Sequence, residues 1–478
     1  MAGGFAAGIA FPQTAAEVAA LAASAPRLLP IGAQSSLTGG ATPRGELLIG
    51  TRGLAGVTLL SRTAVRVGAG VPLLDLQRQL AAHQLYYPPV PTFDGAFVGG
   101  TIATNAAGAA TFKYGSTRPW VEAITVVLAD GAILTIHRSA TTASDDGSFE
   151  LIYPSGAVVR VRVPTFHMPD VSKLSAGYFA RPGMDLIDLF IGSEGTLGII
   201  VEATLRVIAL PRRAHVLVTC ESEGQALALT AALRREAALS WRGDGPLDVA
   251  AIEYVDDRSL THIPDEAFVR AGLSRPAPSA AMLVAQLEVT HETAAIERLS
   301  QVLASCGAFD DPLVALPGDE SAAARLVRLR EAVPAAINGL IAATKARTHA
   351  DIEKTAGDFI VPFDRLGAAL TLYRDTFDRH DLDYAIWGHL SDGNLHPNVL
   401  PQTLDEMHRG RGALLEIARG VIALGGAPLA EHGVGRSALK QQLLLQLYGE
   451  RGVEEMRAVK RALDPGWKLA PGVIFQAP

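Results

Sequence analysis

The stretch from Trp387 to Asn398, WGHLSDGNLHPN, sets two imidazoles on either side of Asp392-Gly393. Asp-Gly is a strong two-residue hairpin signal, because a type I′ turn needs positive φ at both positions. With those residues in the turn, Ser391 faces Asn394, Leu390 faces Leu395 and His389 faces His396. Directly opposed residues share a sheet face with Cβ atoms roughly 4.5–5.5 Å apart, close enough for two rings to hold one metal ion. Asn398, two residues beyond His396, lies on that same face. The plainer alternative is a surface hairpin with two incidental histidines. A second stretch, Glu431-His432-Gly433-Val434-Gly435, adds a carboxylate, another imidazole and two flexible glycines. Two His and one Glu form a common ligand set for a catalytic divalent metal with open positions. His389, His396 and Glu431 are therefore the candidate ligands, and His432 is left to move protons.

Three earlier stretches are built from small residues. Leu28 to Ile31 reads as a buried strand that runs into the loop from Gly32 to Gly40, GAQSSLTGG. Such a loop offers backbone N–H groups and hydroxyls to a phosphate. It holds neither a Walker Gly-Lys-Ser/Thr nor a Rossmann GxGxxG, and taken alone it reads as a plain tight loop. Small residues are dense between Gly95 and Gly115, which suits a backbone pressed against a large flat ligand, or a glycine-rich crossing between sheets. The third stretch runs from Ile191 to Ile200, IGSEGTLGII, with strand-like residues on both sides.

In this order and spacing the three stretches closely resemble the FAD domain of the vanillyl-alcohol-oxidase type of flavoprotein, over nearly all of residues 5–211. GHLSDGNLHPN with EHGVG resembles the C-terminal domain of FAD-linked 2-hydroxy-acid dehydrogenases. That family includes D-lactate dehydrogenase, the glycolate oxidase flavin subunit and D-2-hydroxyglutarate dehydrogenase. The resemblance implies that Gly32, Ala33, Gln34, Ser35, Ser36 and Gly39 cradle the FAD pyrophosphate. It places Pro91, Thr92, Gly99, Gly100, Thr101, Thr104, Asn105 and Gly108 along the flavin and ribityl chain. Gly195, Ile199 and Ile200 then close the other side. Ala33 and Gln34 depart from the family's usual richness in Gly. Some relatives bond flavin through a His, but none occurs between His83 and His137, so non-covalent FAD is expected.

The elements that must position these groups are legible in part. Thr14 to Glu17 is a capping box opening a helix through about Ala23. Strands are expected at Leu47 to Ile49 and Val65 to Val67, and a helix from Leu73 to Ala82. Beyond Pro211, strand-like His215 to Cys220, Val249 to Val255 and Met282 to Val289 alternate with helix-like Glu223 to Leu239 and His291 to Ser305. That alternation suggests a mostly antiparallel sheet with helices on one face. The expected fold is α+β: a vanillyl-alcohol-oxidase-type FAD-binding domain (1–211), a cap with an antiparallel sheet covered by helices and bearing the hairpin (212–425), and a C-terminal helical segment packing back on the FAD domain (426–478). The long helical stretch Ser321 to Ile341 contains Leu329-Arg330-Glu331, which resembles a family motif whose Arg grips the substrate carboxylate. A guanidinium fork suits that task, and an exposed helix salt bridge is the competing reading. Lys354 is a further candidate for the substrate, although relatives of the glutarate type carry their Lys where this chain has Ala356. Asn398 joins the substrate-binding set.

Composition narrows the remaining classes. A chain of 478 residues fits two or three domains, and 49% hydrophobic with 19% charged residues supports a large core. Net charge is −7 and no basic run suggests nucleic acid. Cys220 and Cys306 are the only cysteines, which argues against a disulfide framework and for a reducing cytosol. The N-terminus lacks a basic n-region and a long apolar run, so it is not read as a signal peptide. No stretch of about 18 apolar residues suggests a membrane span. The chain is expected to be cytoplasmic or peripheral to a membrane. The resemblance implies oxidation of a small 2-hydroxy acid of the D-lactate, glycolate or D-2-hydroxyglutarate type, with FAD and a divalent metal, zinc or manganese. Electrons would pass to a quinone, cytochrome or electron-transfer flavoprotein, from a homodimer or a complex with other oxidase subunits. The alternatives are a flavin-carrying subunit of a glycolate-oxidase-type complex and a non-redox enzyme resembling ether-lipid synthase.

Overall fold

Thr14 accepts the Glu17 N–H at 3.2 Å and opens the helix Ala15–Ser24. The return arm of this cap goes one residue further than a capping box requires: the Glu17 carboxylate accepts the Gln13 N–H at 2.7 Å. The computed structural model describes residues 3–153, 156–277, 280–308 and 312–476. These fall into two compact units, Met1–Gly108 with Gly115–Leu210 and Leu429–Pro478, and Ala109–Tyr114 with Pro211–Pro428.

In the first unit, Leu47–Gly50 pairs in parallel with Gly8–Ala10 on one side and Leu28–Ile31 on the other. A five-stranded antiparallel sheet runs in the order Val57–Leu59, Ala64–Gly68, Ile199–Arg206, Val121–Val127, Ile133–His137. Its central strand continues directly from the IGSEGTLG stretch, so that stretch is anchored at the middle of a sheet. The C-terminal stretch Ala438–Leu463, two helices joined at a kink at Gly449 (φ 69°), packs in this unit, with Phe166 and Tyr448 ring centroids 4.0 Å apart.

In the second unit eight strands make one sheet, in which every pairing is antiparallel. The order is Leu313–Ala315, Arg213–Cys220, Ala281–Glu288, Asp248–Val255, Tyr384–His389, Asn394–Val399, Thr355–Ala356, with Phe359–Ile360 also on Asn394–Val399. Helices cover both faces, which corrects the one-face expectation. On one face Val255, Val284 and Trp387 share a core with Leu326, Leu329 and Val333 of the helix Glu320–Arg347. On the other, the Tyr254 hydroxyl donates at 3.1 Å to Glu223, the first residue of the helix Glu223–Ser240. The physical cue lies in Asp248–Val255, where every residue from Val249 onward is buried. A strand dry on both sides has no solvent face to leave bare. Among the described residues no helix is long and apolar enough to cross a membrane.

Candidate active site

The first unit encloses a cavity of about 340 Å³. Its wall is built from the three small-residue stretches: Gly32, Ala33, Gln34, Ser35 and Ser36; Pro91, Thr92, Gly99, Gly100, Thr101 and Thr104; Gly195 and Ile200. Gln34 takes a left-handed φ of 54° and bonds the Ala41 carbonyl at 3.0 Å, which folds the loop over the end of Leu28–Ile31. A Cβ placed at Gly100 would meet nothing within 4 Å. That glycine therefore widens the cavity and does not relieve packing. A loop of small and hydroxyl residues, apolar lining and bare glycine backbone suit a dinucleotide with a flat ring system.

Four of the residues expected against FAD do not line the cavity. Gly39, at φ 71°, turns the first loop and accepts the Thr42 N–H at 3.1 Å. Asn105 is spent on backbone, donating to Leu174 O at 3.2 Å and accepting the Arg118 N–H at 3.0 Å. Gly108 allows close packing, since a Cβ there would lie 2.3 Å from Val90 O. Ile199 is fully buried opposite Val127 in the central strand.

Glu431 and His432 lie on the wall of the same cavity. The glycines after them are required sterically. Gly433, at φ 73°, lets the Glu194 carboxylate approach, and Gly435, at φ 56°, lies where a Cβ would be 2.3 Å from Thr38 Oγ1. Glu194 accepts the N–H groups of Val434 at 2.7 Å and Gly435 at 2.8 Å, tying this loop to the third stretch. Burial pushes the Glu194 carboxyl up to about 7 against the pull of those two N–H groups. Lys173, fully buried, donates to Glu431 Oε2 at 2.9 Å, while Glu431 Oε1 lies 3.5 Å from His432 Nε2. Neither Glu194 nor Lys173 emerged from sequence reasoning. The available signal was an acid between two glycines in GSEG, and a lone lysine in the apolar run VSKLSAGYFA.

In the second unit the hairpin register differs from the Asp-Gly expectation. Trp387 pairs with His396 and His389 with Asn394, leaving Leu390–Gly393 as the connection. Leu390–Asp392 form a single 3-10 turn, and only Gly393 is left-handed, at φ 86°. Ser391 explains the longer turn: its Oγ accepts the Ile252 N–H at 3.0 Å and its carbonyl accepts from Arg234. The slip moves the pairing by an even number, so His389 and His396 still share a face, now diagonally, with ring centroids 5.5 Å apart.

Around them the charges are buried and matched. His389 Nδ1 meets Glu253 Oε1, and Glu253 Oε2 meets Arg330 Nη2. Arg330 is thus a buried ion pair across elements, not an exposed helix bridge. Its Nε has no hydrogen-bond partner among the described residues. Pro334, four residues on, withdraws the N–H that would bond the Arg330 carbonyl. His396 Nδ1 lies 3.7 Å from Asp358 Oδ1, which accepts from Asn394 Nδ2 at 3.2 Å. Asn398 is fully buried; its Nδ2 donates to His396 O at 2.6 Å, and its Oδ1 has no partner among the described residues. Lys354 is solvent-exposed, with Nζ 5.4 Å from the Trp387 ring centroid.

A sequence profile described as FAD linked oxidases, C-terminal domain, matches residues 210–474, and one described as FAD binding domain matches residues 6–137. The chain is 29% identical over 455 residues to the glycolate oxidase subunit GlcD of Bacillus subtilis, covering 94% of this chain and 83% of that protein. It is 28% identical to a D-2-hydroxyglutarate dehydrogenase of Xanthomonas citri, over 98% of this chain and 89% of the relative. It is 27% identical to a D-lactate dehydrogenase of Anaerostipes hadrus, over 93% and 83%. Among solved structures, an alkyldihydroxyacetonephosphate synthase superposes with a TM-score of 0.65 at 16% identity, over 97% of this chain and 75% of that one, a likeness of fold.

Proposed function

Because the chain belongs to the family of FAD-linked oxidases, we propose that it oxidises a small 2-hydroxy acid, of D configuration, to the 2-oxo acid. The observation that carries this reading is the cavity of about 340 Å³ with both Glu431 and His432 on its wall. A carboxylate and an imidazole on the wall of that cavity are the groups that deprotonating a 2-hydroxyl requires. The names of the sequence relatives, two dehydrogenases and a glycolate oxidase subunit, support the same substrate class. They also favour it over ether-lipid chemistry, for which the support is a likeness of fold.

FAD held there non-covalently would supply the acceptor for the hydride from C2. His432 takes the hydroxyl proton. Arg330 holds the substrate carboxylate through donors that Glu253 leaves over, with Lys354 as a second cation and Asn398 as a further polar contact to the substrate. The donor set of the second unit suits a divalent metal, zinc or manganese: two imidazoles on one sheet face, one with its Nδ1 already engaged. Glu431 is assigned as the third ligand on the EHGVG pattern alone. Such an ion would polarise the hydroxyl and lower its pKa. Electrons leave to a quinone, a cytochrome or an electron-transfer flavoprotein, in a homodimer or beside other subunits, as the subunit name of the Bacillus relative suggests. The deciding experiment is a panel of D- and L-2-hydroxy acids with a dye acceptor on flavin-loaded protein. Turnover confined to D acids is expected; dye reduction by none of them overturns the reading.

A further inference from the structure

Glu253 takes no part in the chemistry proposed above, yet it lies between two of its actors. It stands on the strand Asp248–Val255 directly opposite His389 in register, so both project from the same sheet face. That face carries the helix Glu320–Arg347, from which Arg330 reaches the other carboxylate oxygen. Its two oxygens thus meet two partners from two different elements, His389 Nδ1 through a hydrogen bond and Arg330 Nη2 through an ion pair. Glu253 and Arg330 side chains are only 11% and 10% exposed, so neither charge is left to water.

We propose that Glu253 is a positioning residue that fixes His389 as its neutral Nδ1–H tautomer, so that Nε2 is the unprotonated nitrogen, and holds Arg330 in one orientation. The inference rests on the proposed function for what Nε2 and Arg330 then meet. Its physical basis is independent of that reading. An ionised carboxylate accepts hydrogen bonds and donates none, so the proton between Glu253 and His389 sits on Nδ1. In the neutral ring the second nitrogen then carries the lone pair. The same carboxylate neutralises Arg330 and occupies one edge of its fork. A buried charge fixed at both ends cannot shift toward one partner without loosening the other. The histidine and the arginine are therefore set by one group.

Glu253→Gln preserves shape and inverts this logic. The amide oxygen still faces Arg330, but the amide N–H₂ faces His389. Nδ1 must then accept, and the ring proton moves to Nε2. Two readouts follow. Long-range ¹H–¹⁵N spectra of metal-free wild-type protein should show His389 protonated on Nδ1, and those of Glu253→Gln on Nε2. A wild-type His389 carrying its proton on Nε2 overturns the proposal without any variant being made. Zinc alone, titrated against a chelator of known affinity, should bind Glu253→Gln about 10–100-fold more weakly, with Glu253→Asp recovering part of the loss. Equal zinc affinity in wild type and Glu253→Gln, with zinc bound through His389, also overturns it. If the wild-type chain takes up no zinc, the metal reading fails, and the tautomer result still decides the role of Glu253.

Discussion

At the scale of single residues, His432 and Arg330 carry the sharpest expectations. His432 is partly exposed on the cavity wall and close to Glu431, where an imidazole can exchange protons with substrate and solvent. His432→Asn should retain flavin and metal and lose turnover by about 10²–10⁴-fold, the usual contribution of a general base. Metal analysis checks the division of roles: if His432→Asn loses its ion while Glu431→Gln keeps it, the base and the ligand have been exchanged. Arg330→Ala should raise KM and also destabilise, because Glu253 is left buried without its guanidinium. Removing one partner of a buried pair costs about 3–5 kcal/mol. Steady-state kinetics and a urea melt on the same sample test both halves, and an unchanged KM removes Arg330 from the substrate.

Elements explain which parts of the site were readable. The cavity stretches announce themselves as glycines, hydroxyls and small residues after strands, because backbone exposure to a ligand constrains the side chains directly. The hairpin was readable as a shared face for His389 and His396 but not as a register. Asp392-Gly393 favours a two-residue turn locally, and only the distant Arg234 and Ile252 bonds to Ser391 impose the longer one. Glu253 was passed over because AAIEYV reads as a strand whatever its acid does, and its partners lie 77 and 136 residues away in sequence. Gly435 tests the loop as an element. A Cβ there would lie 2.3 Å from Thr38 Oγ1 and 2.5 Å from Thr38 O, at a positive φ. Gly435→Ala should therefore displace the first loop, with a fall in visible flavin absorbance per protein as the measure. Full flavin content would show that the loop yields at no expense.

For the molecule as a whole, Glu194 makes stability depend on pH. Its carboxyl is raised from the ordinary 4.5 to about 7 in the folded chain by burial. The native state then holds a proton that the unfolded chain has lost, so this group's contribution is fully present below about pH 4.5 and declines as pH rises to about 7. The shift corresponds to at most roughly 3 kcal/mol if the group acts alone. Denaturation midpoints measured across that range should fall with rising pH, and Glu194→Gln should flatten that part of the profile. An identical slope in the variant assigns the dependence elsewhere.

The six residues Ala109–Tyr114 have a bearing on how such a chain can be taken apart or recombined. Asp248 and Glu288 stand directly opposite one another on neighbouring strands, a repulsive pair in isolation. Lys113 Nζ answers both at 2.6 Å, and the Tyr114 hydroxyl donates to Glu288 at 2.6 Å. Sequence order assigns these two residues to one half of the chain, whereas their bonds belong to the other. A cut at Pro211 would therefore yield a cap with two acids facing each other without Lys113, and with Arg213, opposite Glu288 on its other side, as the cation that remains. Fragment 211–428 expressed alone should melt well below the intact chain and regain stability when Glu288 is replaced by Gln. The cap is in this sense no portable cassette: a recombination that exchanged it as one contiguous block would leave its keystone behind.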